Sequence, residues 1–129
     1  MEASYACSLV REVYTERTEF ELRAGYSRAV RIGSHVAVSG TAARDGGSAY
    51  AQATEALERA LAAAAKLGAG REDVLRTRLL LAPGCDWESV ILAHRDAFKG
   101  VAPANTTYYV GGFIPEGVLV EVELDAIVA

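Results

Sequence analysis

Two spacings of apolar residues alternate along the chain. In residues 118–128 the period is two. Val118, Val120, Val122, Leu124, Ala126 and Val128 fall on one face of an extended strand, and Leu119, Glu121, Glu123, Asp125 and Ile127 on the other. Residues 73–81 repeat the pattern, with Leu75, Thr77, Leu79 and Leu81 on one face and Val74, Arg76, Arg78 and Leu80 on the other. Residues 19–23, 27–32 and 36–41 read as shorter strands, the last two joined by a hairpin at Gly33 and Ser34. Pro103 opens another extended run over 105–110. Residues 1–17 show no period and read either as a strand or as a loose arm.

Between these runs the spacing lengthens to that of a helix. Residues 50–67 contain no Pro or Gly and are built almost wholly of good helix formers. Ala53, Leu57, Ala60, Leu61 and Ala64 make the apolar stripe, Glu55 and Arg59 can pair on the wet side, and Gly68 supplies the stop. Asp86 is placed to cap a second helix running to Lys99, on which Trp87, Ile91, His94 and Phe98 share a face. The order strands, helix, strand, helix, strands predicts an α+β two-layer sandwich, with two long helices on one face of a mixed sheet.

Length and composition add bounds. A chain of 129 residues is one domain's worth, here 1–129, and a small scaffold for a deep pocket, which directs attention to sites between subunits. The net charge of -4, without a basic cluster, argues against nucleic acid or an anionic membrane as partner. No apolar run is long enough to span a bilayer, and the Met1-Glu2-Ala3-Ser4 start does not read as a signal peptide, so a cytoplasmic protein is expected. Cys7 and Cys85 read as free thiols without a neighbouring base, and no His/Cys pair has metal-ligand spacing.

The polar sheet face carries the candidate chemistry. Glu121, Glu123 and Asp125 project from one side of a strand about 6–7 Å apart. Carboxylates so close repel unless countercharged, and Arg76 and Arg78 have the matching spacing on another strand. Such a face is either a solvated ladder of ion pairs or a surface covered by another subunit. In a half-buried cleft one of these carboxylates would have a raised pKa and act as a general acid or base.

Several segments, in order, resemble a known family. They are Gly25-Tyr26-Ser27-Arg28-Ala29-Val30, Val36-Ala37-Val38-Ser39-Gly40, Gln52-Ala53, Asp73-Val74 with Thr77, Ala97-Phe98, Pro103-Ala104, Ile114-Pro115 and Val120-Glu121-Val122-Glu123. Together they are similar to the Rid superfamily, the YjgF-type reactive-intermediate deaminases. The resemblance implies a chorismate-mutase-like fold and a homotrimer whose sheets form a central barrel, with small-molecule clefts between subunits. It implies no metal or organic cofactor. The implied reaction is hydrolysis of enamines and imines to carbonyl compounds and ammonium, with Glu121, the first Glu of the Val-Glu-Val-Glu run, positioning water. In active deaminases the residue after Pro-Ala is an arginine that holds the substrate carboxylate. Here it is Asn105, with Thr107 where a cysteine often stands and Leu92 where a polar Asn is frequent. Asn supplies neither charge nor a bidentate fork.

The expected site is therefore Glu121 as the catalytic carboxylate, with Asn105, Thr107, Tyr26, Ser39, Gly40, Arg28 and Arg78 binding substrate. Arg28 and Arg78 compete to replace the missing guanidinium, and His94 reads as a hydrogen-bonded packing residue. The expected activity is hydrolysis or deamination of an enamine, imine or related C=N compound. The alternatives are acid/base chemistry on another small carbonyl metabolite and a non-catalytic ligand-binding trimer.

Overall fold

The computed structural model describes residues 10–129. Among these residues six strands form one sheet, β1 (Arg11–Tyr14), β2 (Ala29–Ile32), β3 (His35–Ala42), β4 (Val74–Leu81), β5 (Ala104–Tyr109) and β6 (Val120–Ile127). Their order across the sheet is β1-β2-β3-β6-β4-β5, with β4 and β5 parallel and every other pair antiparallel. Helices α2 (Ala49–Lys66) and α3 (Trp87–Ala97) pack against each other, and α2 also lies on β3 and β6. A short helix, α1 (Glu19–Ala24), joins β1 to β2. This is the α+β sandwich that the alternating spacings predict. Among the described residues no helix is long and apolar enough to cross a membrane. Cys7 lies outside the described residues.

The core sits between β6 and α2. Val120, Val122, Leu124 and Ala126 are fully buried, as are Ala53, Ala56, Leu57, Ala60 and Ala64 opposite them. Small alanines let the helix axis approach the sheet closely. Ser48 caps α2 by accepting the Ala51 amide at 3.1 Å, and Gly68 ends it at φ +92°. The buried Gln52 ties α2 to the segment before β6. Its amide nitrogen donates to the carbonyls of Gly47 and Gly117 at 3.3 and 3.2 Å, and its oxygen accepts the Leu119 amide at 3.0 Å.

Four local expectations are corrected. Residues 19–23 form helix α1, not a strand. Thr18 and Glu21 build a capping box, which satisfies the first-turn amides that a strand would leave for a ladder. On β4, Val74 faces the helices and Leu75 is exposed, the reverse of simple alternation. Val74 pairs with Ala126 while Arg76 pairs with the adjacent Asp125, so Leu75 is the extra residue of a bulge. On α3 the core contacts come from Val90, Ala93 and Phe98, whereas Trp87 and Ile91 are exposed. Glu55 and Arg59 do not pair with each other. Glu55 accepts the Arg44 amide at 2.6 Å, and Arg59 pairs with Glu16 at 3.0 Å.

Candidate active site

Glu121 is placed by β6, whose strict alternation turns it away from the core. Opposite it, β3 carries a second bulge. Val38 pairs with Leu124 and Thr41 with Val122, so three steps on β3 match two on β6. The slip brings Gly40 against the Glu121 side chain. A Cβ at position 40 would lie 2.6 Å from the Glu121 carboxylate oxygen, so only glycine leaves that oxygen its place. Glu121 is half-buried and accepts no hydrogen bond among the described residues. Burial raises its pKa above the ordinary carboxylate value, opposed by the nearby Arg28 charge and reinforced by Glu123.

A cavity of about 790 Å³ opens on this carboxylate. Its polar lining includes Arg28, Ser39, Arg78, Glu121, Glu123 and Asp125, and Phe20, Tyr26, Phe113 and Ile114 supply an apolar and aromatic wall. Six of the eight expected site residues are thus together: Glu121, Tyr26, Ser39, Gly40, Arg28 and Arg78. Phe20, Gly112, Phe113, Ile114 and Pro115 join them, although none is among the expected site residues. A strand over 19–23 gives Phe20 no place at the site, and Gly112 and Phe113 sit in an aperiodic bend that carries no pattern.

Both arginines are already engaged. Arg28 is almost wholly buried. It donates to the Gly40 carbonyl at 3.1 Å, lies against the Tyr26 ring at 5.4 Å and stands 3.9 Å from Glu21. Arg78 pairs with Glu123 at 3.6 Å, as the two-residue spacing predicts. Glu21 is a fixed counter-ion. Burial favours its neutral form, but hydrogen bonds from the Thr18 and Thr15 hydroxyls and from the Glu16 and Thr18 amides outweigh it, holding the pKa down at about 2. The Ser39 hydroxyl donates to the Ser27 carbonyl at 2.6 Å, so only its lone pairs remain for a ligand.

Asn105 and Thr107 lie elsewhere, on the edge strand β5. Asn105 donates to the Thr77 hydroxyl at 3.0 Å, and Thr107 donates to the Asn105 side-chain oxygen at 2.7 Å. Thr107 lines a separate recess with Leu81, Trp87, Ile91, Tyr108 and Tyr109. Cys85 is buried in neither group, and burial and Asp86 push its thiol pKa up.

A profile of the family described as endoribonuclease L-PSP matches residues 16–128. The chain belongs to the YjgF/L-PSP family. An uncharacterized protein of Streptomyces coelicolor is 42% identical over 108 residues, covering 79% of this chain and 81% of its own. The crystal structure of Rv2704 from Mycobacterium tuberculosis, described as a member of the YjgF/YER057c/UK114 family, superposes with a TM-score of 0.88. It is 39% identical, over 92% of this chain and all of that one. TdcF of E. coli, solved with bound serine, shares the fold at a TM-score of 0.72 and 20% identity, over 81% of this chain and 88% of its own. Membership of the YjgF/L-PSP family supports a role in small-molecule binding or in deaminase- or endoribonuclease-like chemistry.

Proposed function

We propose that the protein hydrolyses an enamine, imine or related C=N compound, with Glu121 as the group that orients and deprotonates water. The observation that carries this reading is the state of Glu121, a half-buried carboxylate with no hydrogen-bond donor among the described residues, held over Gly40 at the floor of a cavity. In the reaction, water adds to the imine carbon as its proton passes to Glu121. The proton is returned to nitrogen, and the carbinolamine collapses to a carbonyl compound and ammonia. A placed general base contributes roughly 10²–10⁴-fold to such a step. Three carboxylates in the cavity wall and a net charge of -4 oppose binding of a polyanion, which weighs against an endoribonuclease.

The second part of the proposal concerns assembly. Neither Asn105 nor Thr107 lines the Glu121 cavity, and Thr107 lines a different recess, so they share a cleft with Glu121 only if a neighbouring copy supplies them. A homotrimer with three inter-subunit clefts, as the family resemblance implies, meets that requirement. The exposed Trp87, Ile91, Tyr108 and Tyr109 beside Asn105 are the kind of aromatic and aliphatic surface that a subunit contact covers.

The test generates 2-aminoacrylate, and separately an imine without a carboxylate, in the presence of the protein and follows ammonium release. Acceleration over buffer that disappears in Glu121→Ala, with the oligomer intact, is expected. Absence of acceleration with either compound removes the hydrolase reading, and activity that survives Glu121→Ala removes the assigned role.

A further inference from the structure

A chain of three hydrogen bonds runs from α3 to the outer edge of the sheet. The His94 ring nitrogen Nε2 lies 2.7 Å from the Thr77 hydroxyl. The Asn105 amide nitrogen donates to that hydroxyl at 3.0 Å, and the Thr107 hydroxyl donates to the Asn105 oxygen at 2.7 Å. The Asn105 nitrogen also faces the Thr77 carbonyl at 3.5 Å. A carbonyl can only accept, so this neighbour fixes which end of the amide points inward.

The direction of the whole chain follows from the Thr77 proton. The Asn105 nitrogen has no lone pair to offer, so its contact uses a lone pair of Thr77. Thr77 is fully buried, and His94 Nε2 is the one acceptor beside its hydroxyl among the described residues. An Nε2–H could use the second lone pair, but the buried hydroxyl proton would then have no acceptor, which costs the desolvation of that donor. The favoured arrangement sends the proton to Nε2, and the neutral ring carries its own proton on Nδ1. Burial lowers the His94 pKa, which favours the neutral ring that this arrangement requires. At the other end, the Thr107 proton is committed to Asn105. Of the two Asn105 amide protons, one goes to the Thr77 hydroxyl at 3.0 Å and the other is directed at the Thr77 carbonyl at 3.5 Å. What remains for a ligand is then chiefly the lone pairs of Thr107 and one lone pair of the Asn105 oxygen.

We infer that Thr77, through its carbonyl and its His94-bound hydroxyl, is a positioning residue that turns Asn105 and Thr107 into hydrogen-bond acceptors, so that this edge recognises an N–H or ammonium group and not a carboxylate. The inference rests on the reading that Asn105 and Thr107 line the ligand cleft. It gives the replacement of an arginine by Asn105 a chemical meaning, since the donor fork becomes an acceptor pair. Glu121 and the two carboxylates beside it, Glu123 and Asp125, have the same preference. The substrate class that fits is a neutral or cationic nitrogen compound without a carboxylate at that end.

The experiment is nitrogen-detected NMR on the full-length labelled protein, at a pH well above the ordinary imidazole value, with ethylammonium and acetate as probes. His94 is expected as the single Nδ1–H tautomer. Ethylammonium is expected to shift the Asn105 amide and Thr107 resonances at concentrations where acetate leaves them unmoved. Thr77→Ser, which keeps the hydroxyl, should preserve both results. Thr77→Val should release His94 into a mixture of tautomers and lower the preference for ethylammonium severalfold. The Nε2–H tautomer in the unaltered protein overturns the inference. So does acetate binding in preference to ethylammonium, or silence of Asn105 and Thr107 toward both probes. The measurements need no turnover, so a protein inert in the ammonium-release assay would leave them standing.

Discussion

At the scale of single residues, the contact between Gly40 and Glu121 decides the most. A methyl group at position 40 would meet the far end of a flexible side chain, which can swing away. Gly40→Ala is therefore expected to leave stability within about 1 kcal/mol of the parent. It is expected to lower imine hydrolysis roughly 10–100-fold, the usual consequence of displacing a reacting group by about an ångström. Urea denaturation beside the ammonium-release assay separates the two effects, and an unaltered rate would show that Glu121 need not sit where it is. The pH profile is a second check. Burial, partly offset by Arg28, raises the Glu121 pKa from an ordinary value of 4.5, and only the ionised form takes a proton from water. The rate should fall with decreasing pH at a midpoint above 4.5, and a profile flat down to that value would exclude Glu121 as the base. Glu121 itself was legible in the sequence, because period-two alternation and a charged face are local facts. Its contact with Gly40 was not, because that depends on a slip between two strands far apart in the chain.

At the scale of elements, α1 is the piece that sequence patterning misread and that the cavity most depends on. The segment alternates Glu19, Phe20, Glu21 and Leu22 as a strand would. The overriding signal was Thr18 three residues before Glu21, a capping pair whose energy is local and whose period is not two. As a helix it places Phe20 and Tyr26 on the cavity wall and buries the Glu21 carboxylate beside Arg28. Glu21→Gln is expected to cost about 2–3 kcal/mol at neutral pH, since charge-assisted hydrogen bonds from two hydroxyls and two amides are weakened. The pH dependence follows from linkage. The folded pKa of about 2 is below the ordinary 4.5, so the stabilisation is complete above 4.5 and is lost as pH falls from there through 2. Denaturation midpoints of parent and variant should converge across that window, and a constant gap would show that the carboxylate's charge is not what α1 requires. The helices α2 and α3 were legible for the opposite reason. Their apolar periods and the Asp86 cap agree with the tertiary packing, except where Trp87 and Ile91 are left outside the core.

At the scale of the whole molecule, the expected site residues divide into two groups that one chain does not bring together. If neighbouring copies complete each cleft, two different inactive variants complement each other. Glu121→Ala and a variant lacking Asn105 and Thr107 side chains, unfolded together and refolded, should regain about a quarter of parental activity. That is the chance that a cleft receives both intact halves from random assembly. No recovery would show that both groups serve one subunit. The grouping could not be read from the sequence. Asn105, Thr107 and Glu121 lie close along the chain, but the parallel crossover that places β5 beyond β4 separates them across the sheet.

The two bulges also set which parts of the chain can change length. β6 is regular from Val120 to Ile127, while β3 and β4 on its flanks each carry one supernumerary residue against it. Each extra residue lets both ends of its strand turn side chains to the core, Val36, Val38 and Thr41 on β3 and Val74, Thr77, Leu79 and Leu81 on β4. Deleting Leu75, or one of Ser39 and Gly40, would straighten the pairing yet invert one end of the strand, sending buried valines outward and polar groups inward. Insertions and deletions in this family should therefore gather at the Gly33–Ser34 and Pro83–Gly84 connections and be absent from the middle of the sheet, where the number of residues matters as much as their identity.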